Sequence, residues 1–319
     1  MGRRFASSTN RRPRWRGPEF DKDDRVTSRA LVFMANDRYL NWAKAFLESV
    51  RSKDAGLPIY CIPHGGPMKG VLALRDVFGF ELLTEGLDRL DAFARRLFPN
   101  SLARHRANLR KYVALNLPVD EVAYFDIDMV MLVEPERLFG HIEADQVDVV
   151  YFATSPEWVY WPDKIDEARA LFPDMRLISA GAFLTSRKVL SIDSVIDTVE
   201  NNLELYRSLR RSGVYDQPVL NFVLHRLGKR CRHIAELDPG LSGMVSVRNP
   251  DLRWANGKIV NCTMPGDVLA VHWAGPAKSL VEWLNPRTWQ IQRFLRSVRQ
   301  RAEERIRAEQ PRRSLPIAR

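Results

Sequence analysis

Cysteine is scarce: the chain has three in 319 residues, Cys61, Cys231 and Cys262. None falls in a C-x-x-C pair, and Cys231 with the nearby His233 lacks the partners of a zinc site, so all three read as reduced thiols in or near the core. Long apolar runs are missing as well. No stretch reaches the roughly 18 apolar residues of a transmembrane helix. The arginine-rich start, Met1 to Arg16, is not followed by an apolar segment, which argues against a secretory signal and makes the cytoplasm the default compartment. There is no internal repeat, and no strand interleaves aromatic and basic residues in the manner of an RNA reader, so no nucleic-acid partner is expected.

The basic excess is confined to the ends. The formal net charge is +10, yet nine basic residues stand against four acidic ones in positions 1–30, and ten against three in 286–319, which leaves the middle slightly negative. A basic groove built into the fold is therefore excluded. What remains is a pair of basic ends that touch phosphate, lipid or nothing. This divides the chain into a basic N-terminal tail (1–28), expected to be flexible, a folded domain (29–285), and a basic amphipathic helix with a tail (286–319).

Within the domain, short apolar runs alternate with helical periodicity. Leu31 to Ala35, Ile59 to Ile62, Phe80 to Leu83 and Val122 to Phe125 read as buried strands. Tyr39–Val50, Val71–Phe78 and Ser101–Leu117 read as the helices between them. Further on, Val147–Phe152, Ala182–Leu184 and Val268–Val271 are strands, while Ile192–Leu209 and Asp216–Leu227 are helices. The alternation implies an α/β fold with a mostly parallel central sheet and helices on both faces. Trp289–Glu309 is helical by pattern, with Ile291, Phe294, Leu295, Val298, Ala302 and Ile306 on one side among arginines. That stripe either docks on the body or rests on an anionic membrane, which would put the protein at its inner face.

The chemistry concentrates where the fourth strand ends. Asp126 and Asp128 follow it directly, at the carboxyl edge where open parallel sheets bind ligands. Two residues apart in extended chain, their carboxylates face one spot and repel, and a divalent cation that also grips phosphate would resolve the repulsion. His272 ends the last strand, with Gly275 and Lys278 behind it. An imidazole added to two carboxylates makes a mixed N/O site suited to Mn²⁺ or a similar ion such as Mg²⁺. Lys278 would offer a point charge to a diphosphate.

Four segments carry a family resemblance: Leu31 to Tyr39; Arg110-Lys111 through Phe125-Asp126-Ile127-Asp128; Ser179-Ala180-Gly181 followed by Asp216-Gln217-Pro218-Val219-Leu220-Asn221; and His272 to Lys278. Together they resemble the GT-A glycosyltransferases, and within them the retaining, galactosyltransferase- and glycogenin-like group (family 8). The resemblance implies a GT-A, Rossmann-like nucleotide-diphospho-sugar transferase fold, a nucleotide diphosphate sugar donor (UDP before GDP), and a saccharide, lipid-linked or protein acceptor. It places Ala35, Asn36 and Tyr39 at the nucleoside, although the family usually has Asp at the position of Asn36 and Asn at that of Arg38.

Arg110 stands within one residue of an arginine that steadies the donor. The resemblance also implies that Asp126 touches ribose and metal, with Ile127 beside it, and that Asp128 and His272 complete the metal site. Ser179, where the family has Asn, and Gly181 would face the donor sugar. Asp216 would bind sugar hydroxyls, Gln217 would lie near the anomeric carbon, and Gly275 and Lys278 would meet the diphosphate. Ser279 and Leu280 replace the family's Pro-Trp, and Trp283 is the nearest aromatic. A nucleotidyltransferase of related fold would carry a glycine-rich loop after the first strand, where this chain has Met34-Ala35-Asn36-Asp37. The rival from another class is a non-catalytic protein of this fold that binds membrane or nucleic acid through its basic ends.

Overall fold

The computed structural model describes residues 28–144, 146–274 and 289–309. Gly275, Lys278, Ser279, Leu280 and Trp283 lie outside the described residues, as do the first 27 residues and the last ten.

Seven strands form the central sheet: β1 (Arg29–Ala35), β2 (Ile59–Pro63), β3 (Glu81–Leu82), β4 (Glu121–Asp126), β6 (Val149–Tyr151), β7 (Ala182–Thr185) and β8 (Cys231–His233). A three-stranded sheet holds β5 (Met129–Met131), β9 (Leu241–Ser246) and β12 (Asp267–His272), and β10 (Leu252–Ala255) pairs with β11 (Lys258–Asn261) as a hairpin. The large sheet runs β3-β2-β1-β4-β7-β6-β8, and every strand but β7 points the same way. The apolar run of β1 has a direct cause. Leu31, Phe33 and Ala35 enter one core layer while Ala30, Val32 and Met34 enter the other, so both faces of the strand are covered. The mostly parallel α/β sheet expected from the alternation is present.

Helices depart from the expected spans where burial blurs the period. Ser101–Leu117 is a short α-helix (Ala103–Arg106) followed by a 3-10 stretch (Ala107–Asn116). From Leu109 to Leu115 all residues but Arg110 are buried, so no single stripe marks a face. Val71–Phe78 is broken into Lys69–Ala73 and Arg75–Phe78, and Ile192–Leu209 into Ile192–Glu200 and Leu203–Leu209. Leu87–Leu97 is an additional helix that buries Leu90, Phe93, Ala94 and Leu97. Strands β5 and β8 to β11 are also additional; the first two are only three residues long, too short for alternation to register.

The C-terminal helix spans Trp289–Glu309. Ile291, Leu295, Val298 and Ala302 are buried in the same layer as Leu31 and Phe33, and the helix lies along the first α-helix, Leu40–Arg51. Polar contacts fix its register. Arg305 Nε donates to Glu48 Oε2 at 2.6 Å, Lys44 pairs with Glu303 at 2.5 Å, and the Arg299 guanidinium sits 4.6 Å from the Trp42 ring. The apolar stripe thus faces protein, and the amphipathic pattern is accounted for by docking. No helix among the described residues is long and apolar enough to cross a membrane.

Because the stripe is core, Leu295→Ala is expected to lower the unfolding free energy by about 2–5 kcal/mol. Urea denaturation followed by circular dichroism measures it, and a change within error would mean the helix is peripheral.

Candidate active site

The Asp-x-Asp segment is a junction between sheets. Asp126 is the last residue of β4, Ile127 and Asp128 form a bend, and Met129 opens β5 in the smaller sheet. The carboxylates therefore converge by a turn of the chain, where the sequence reading assumed one extended run. β12 completes the corner: His272 pairs with Met129 across the antiparallel β5–β12 ladder, and Trp273 N donates to Asp128 O at 2.9 Å. One ligand atom each from Asp126, Asp128 and His272 lies within 4.8 Å of the others. His272 Nε2 is 3.3 Å from Asp128 Oδ1. Two carboxylates and an imidazole at this spacing fit a divalent ion of the Mn²⁺ or Mg²⁺ type.

Behind this cluster stands Lys111, 1% exposed, in the 3-10 stretch. Its ammonium reaches Asp216 Oδ2 at 2.5 Å, Asp126 Oδ1 at 3.3 Å and the Ala180 carbonyl at 2.9 Å, so its three protons have three acceptors. Burial alone would favour the neutral amine, but Asp126 and Asp216 outweigh it and hold the pKa above its ordinary value. Asp126 also accepts from Tyr124 OH at 2.7 Å. Its own pKa is raised, chiefly by burial and then by Asp128 and Asp216, against the pull of Lys111 and His272. Asp126 and Asp216 thus face one buried ammonium with Asp128 next to Asp126, a local negative excess that a divalent cation would offset.

Glycine at 181 permits the approach. A Cβ there would stand 3.2 Å from Asp126 Oδ2 and 3.3 Å from Met129 Cε. Gly181 O also accepts from Asp126 N at 2.7 Å, binding β7's entry to the end of β4.

Other residues singled out in the sequence fall into two groups. Asp216, Gln217, Ser179, Gly181, Asp126 and His272 line one cleft of about 1310 Å³. Gln217 lines it with its amide already engaged, Oε1 accepting from Ala180 N at 2.9 Å and Nε2 donating to Ile178 O at 3.0 Å. Ala35, Asn36, Tyr39 and Arg110 are not among the lining residues. Ala35 is fully buried at the end of β1, and Ile127 is buried beside the cluster. Asn36 caps the 3-10 turn Asp37–Tyr39, accepting from Arg38 N at 3.1 Å and donating to Gly65 O at 2.6 Å. Tyr39 lies against His64, ring centroids 6.1 Å apart.

Arg110 turns away from the cleft, pairing with Asp91 at 2.5 Å and donating to Pro63 O at 2.9 Å. Its neighbour Lys111 holds the inward position. The available signal was a charged residue heading the apolar run Tyr112-Val113-Ala114-Leu115, which asks for buried partners. His105, Asn108 and Met244 also line the cleft and carried no motif. A smaller pocket of about 390 Å³, between β5, the β10–β11 hairpin and the C-terminal helix, contains none of these residues.

Two measurements test this electrostatic picture. Lys111→Met leaves two carboxylates facing each other without their cation and is expected to cost about 3–5 kcal/mol of stability. Arg110→Met, which breaks a part-exposed pair at the rim, should cost about 1 kcal/mol or less. Equal losses in urea titrations would overturn the ranking. His225, beneath Tyr160, gives a pH signature. Burial lowers its pKa from 6.5 to about 4, while Tyr160 OH donates to Nδ1 at 2.7 Å and Nε2 donates to Arg176 O at 2.9 Å. The folded state resists the proton, so this stabilisation is complete above pH 6.5 and is lost as pH falls towards 4. The loss amounts to about 3 kcal/mol at most. His225→Gln should flatten that part of the stability-versus-pH curve.

No protein-family model matches the chain, and no curated protein matches it in sequence. Solved structures do match in shape. Galactosyltransferase LgtC, solved in complex with donor and acceptor sugar analogues, superimposes with a TM-score of 0.56 at 15% identity, over 85% of this chain and 95% of that one. An active-site mutant of LgtC gives a TM-score of 0.54 at 15% identity, over 84% and 94% of the two chains. Mouse xyloside xylosyltransferase 1 in its apo form gives 0.52 at 12% identity, over 78% and 99%. Identities this low speak to the fold: the chain has the fold of the GT-A glycosyltransferases.

Proposed function

We propose that the protein is a metal-dependent glycosyltransferase that moves a sugar from a nucleotide diphosphate to an acceptor, with retention of anomeric configuration. The reading is carried by the convergence of Asp126, Asp128 and His272 within 4.8 Å, at the carboxyl end of β4 and beside a cleft of about 1310 Å³. The fold shared with sugar-transferring enzymes supports it.

Mn²⁺ or Mg²⁺ would be held by Asp126, Asp128 and His272, and such an ion supplies Lewis acidity against the charge developing on a leaving diphosphate. The chain's own residues do the positioning. Lys111 and Tyr124 both engage Asp126 Oδ1, leaving Oδ2 as the oxygen free to turn towards a ligand. Asp216 is held by Lys111 through one oxygen and by Tyr112 OH through its carbonyl at 2.7 Å, which leaves Asp216 Oδ1 to accept from a sugar hydroxyl. Gln217 carries no negative charge and its amide is engaged by backbone, so it does not serve as a nucleophile. No carboxylate is singled out as a nucleophile, and front-face transfer is the reading we favour, the leaving phosphate accepting the acceptor's proton. Lys278 and Gly275, from the segment after His272, would contact the diphosphate. UDP is preferred to GDP on the likeness of Leu31–Tyr39 to the family's opening strand. Recognition of the base would fall to Ala35 and Tyr39 and to backbone near Asn36, whose own amide is engaged as a cap.

Calorimetric titration with UDP and with GDP, each with and without Mn²⁺, tests this. Binding is expected for one of them only when metal is present and is expected to vanish in Asp128→Ala. If neither nucleotide binds folded protein with metal present, the transferase reading fails and a role driven by the basic ends replaces it.

A further inference from the structure

An exposed tryptophan offers a large, rigid ring whose apolar face can take up a ligand. Trp158 is 49% exposed and Trp161 38% exposed. They flank Tyr160, which points the other way, fully buried, with its hydroxyl on His225. The backbone beneath is pinned by an isolated antiparallel bridge between Tyr160 and Arg210, by Trp161 N donating to Leu209 O at 3.1 Å, and by Arg211 N donating to Val159 O at 3.1 Å. The Arg211 guanidinium then lies 5.0 Å from the Trp158 ring and 5.9 Å from the Trp161 ring, and it donates to Glu157 O. Two indoles braced by one cation are thus set in place before any ligand arrives, so little side-chain entropy remains to be lost on binding.

Position decides what the platform faces. Among the described residues, Trp158 is the one large exposed hydrophobic side chain that lines the cleft holding Asp126 and Asp216, and Glu157 lines it beside Trp158. The cleft, at about 1310 Å³, exceeds the roughly 300–1,000 Å³ of a pocket for one small molecule, which leaves room for a second substrate. A sugar ring suits an exposed indole. Its C–H face is apolar and slightly positive, matching the negative face of the π system, while its hydroxyl edge needs donors and acceptors such as Arg211 and Glu157.

We propose that Trp158 and Trp161, braced by Arg211, form the acceptor subsite, and that the acceptor is a saccharide whose ring stacks on Trp158. This rests on the transferase reading and narrows its acceptor to a glycan.

The test uses the full chain with Mn²⁺ and the nucleotide selected by calorimetry, applied to a printed array of mono- and oligosaccharides. Wild type is expected to retain at least one saccharide. Trp158→Ala is expected to weaken that binding about tenfold, with Trp158→Phe weakening it less. Trp161→Ala and Arg211→Lys should weaken it as well, while melting curves confirm that each variant folds. Nucleotide titration of the same samples separates two kinds of failure. Wild type that binds nucleotide but no saccharide, or variants that bind saccharide as wild type does, overturn the subsite and leave the transferase reading standing. Wild type that binds no nucleotide overturns both. A wild-type dimer by light scattering that Trp158→Ala dissociates would assign the platform to contact between copies of the chain and overturn the proposal.

Discussion

The site depends on one buried ammonium. Lys111 comes from the 3-10 stretch, Asp126 from the end of β4, Ala180 from the entry to β7, and Asp216 from the start of the helix Asp216–Arg226. These four pieces of chain are distant in sequence, and one –NH₃⁺ has an acceptor on three of them. Without it, Asp126 and Asp216 would confront each other at low dielectric with no cation between them. With it, each carboxylate has a cationic partner, Asp126 in the candidate metal cluster and Asp216 beside the cleft. A charge fully removed from water is tolerable only because each of its protons has a partner. That requirement ties the 3-10 stretch to the ends of β4 and of the helix Asp216–Arg226.

A second constraint closes the corner from the far end of the sequence. His272 reaches the carboxylates because β12 pairs with β5, and the end of β12 is held by Trp273. That indole is completely buried, packs 5.7 Å from Trp42, and donates to Gln292 Oε1 on the C-terminal helix at 3.2 Å. The C-terminal helix therefore braces the candidate metal cluster as well as covering the sheet. Arg299 and Arg305 turn onto Trp42 and Glu48 of the first helix, so part of the helix's basic character serves docking.

What the sequence disclosed was what local period and short motifs can encode. β1 announced itself because a strand covered on both faces must be apolar throughout. The helical character of 289–309 was legible because a stripe on a long surface helix is unambiguous. The candidate metal cluster Asp126, Asp128 and His272 was legible from chemistry, since those residue types at strand ends have few other joint uses. The junction between the two sheets was not, because the pairing of β5 with β12 spans about 140 residues and neither strand advertises its partner. The same limit explains the shift from Arg110 to Lys111. Both are cations, adjacent, and only tertiary packing decides which faces inward.

The division of charge along the chain now has a structural sense. The described body carries its negative excess at the carboxyl edge of the central sheet, where Asp126, Asp128 and Asp216 are opposed by Lys111 alone among buried cations. Under the proposed function an anionic diphosphate entering the cleft finds Lys111 already engaged by Asp126 and Asp216, so further positive charge would come from a bound cation or from lining residues such as Arg248. On that reading a divalent cation at Asp126, Asp128 and His272 would correct the sign while also gripping phosphate oxygens. A fold retained at 15% identity to a galactosyltransferase is consistent with this economy. The geometry has to preserve one corner where two sheets meet and one buried cation behind it, and most other side chains need only fill space.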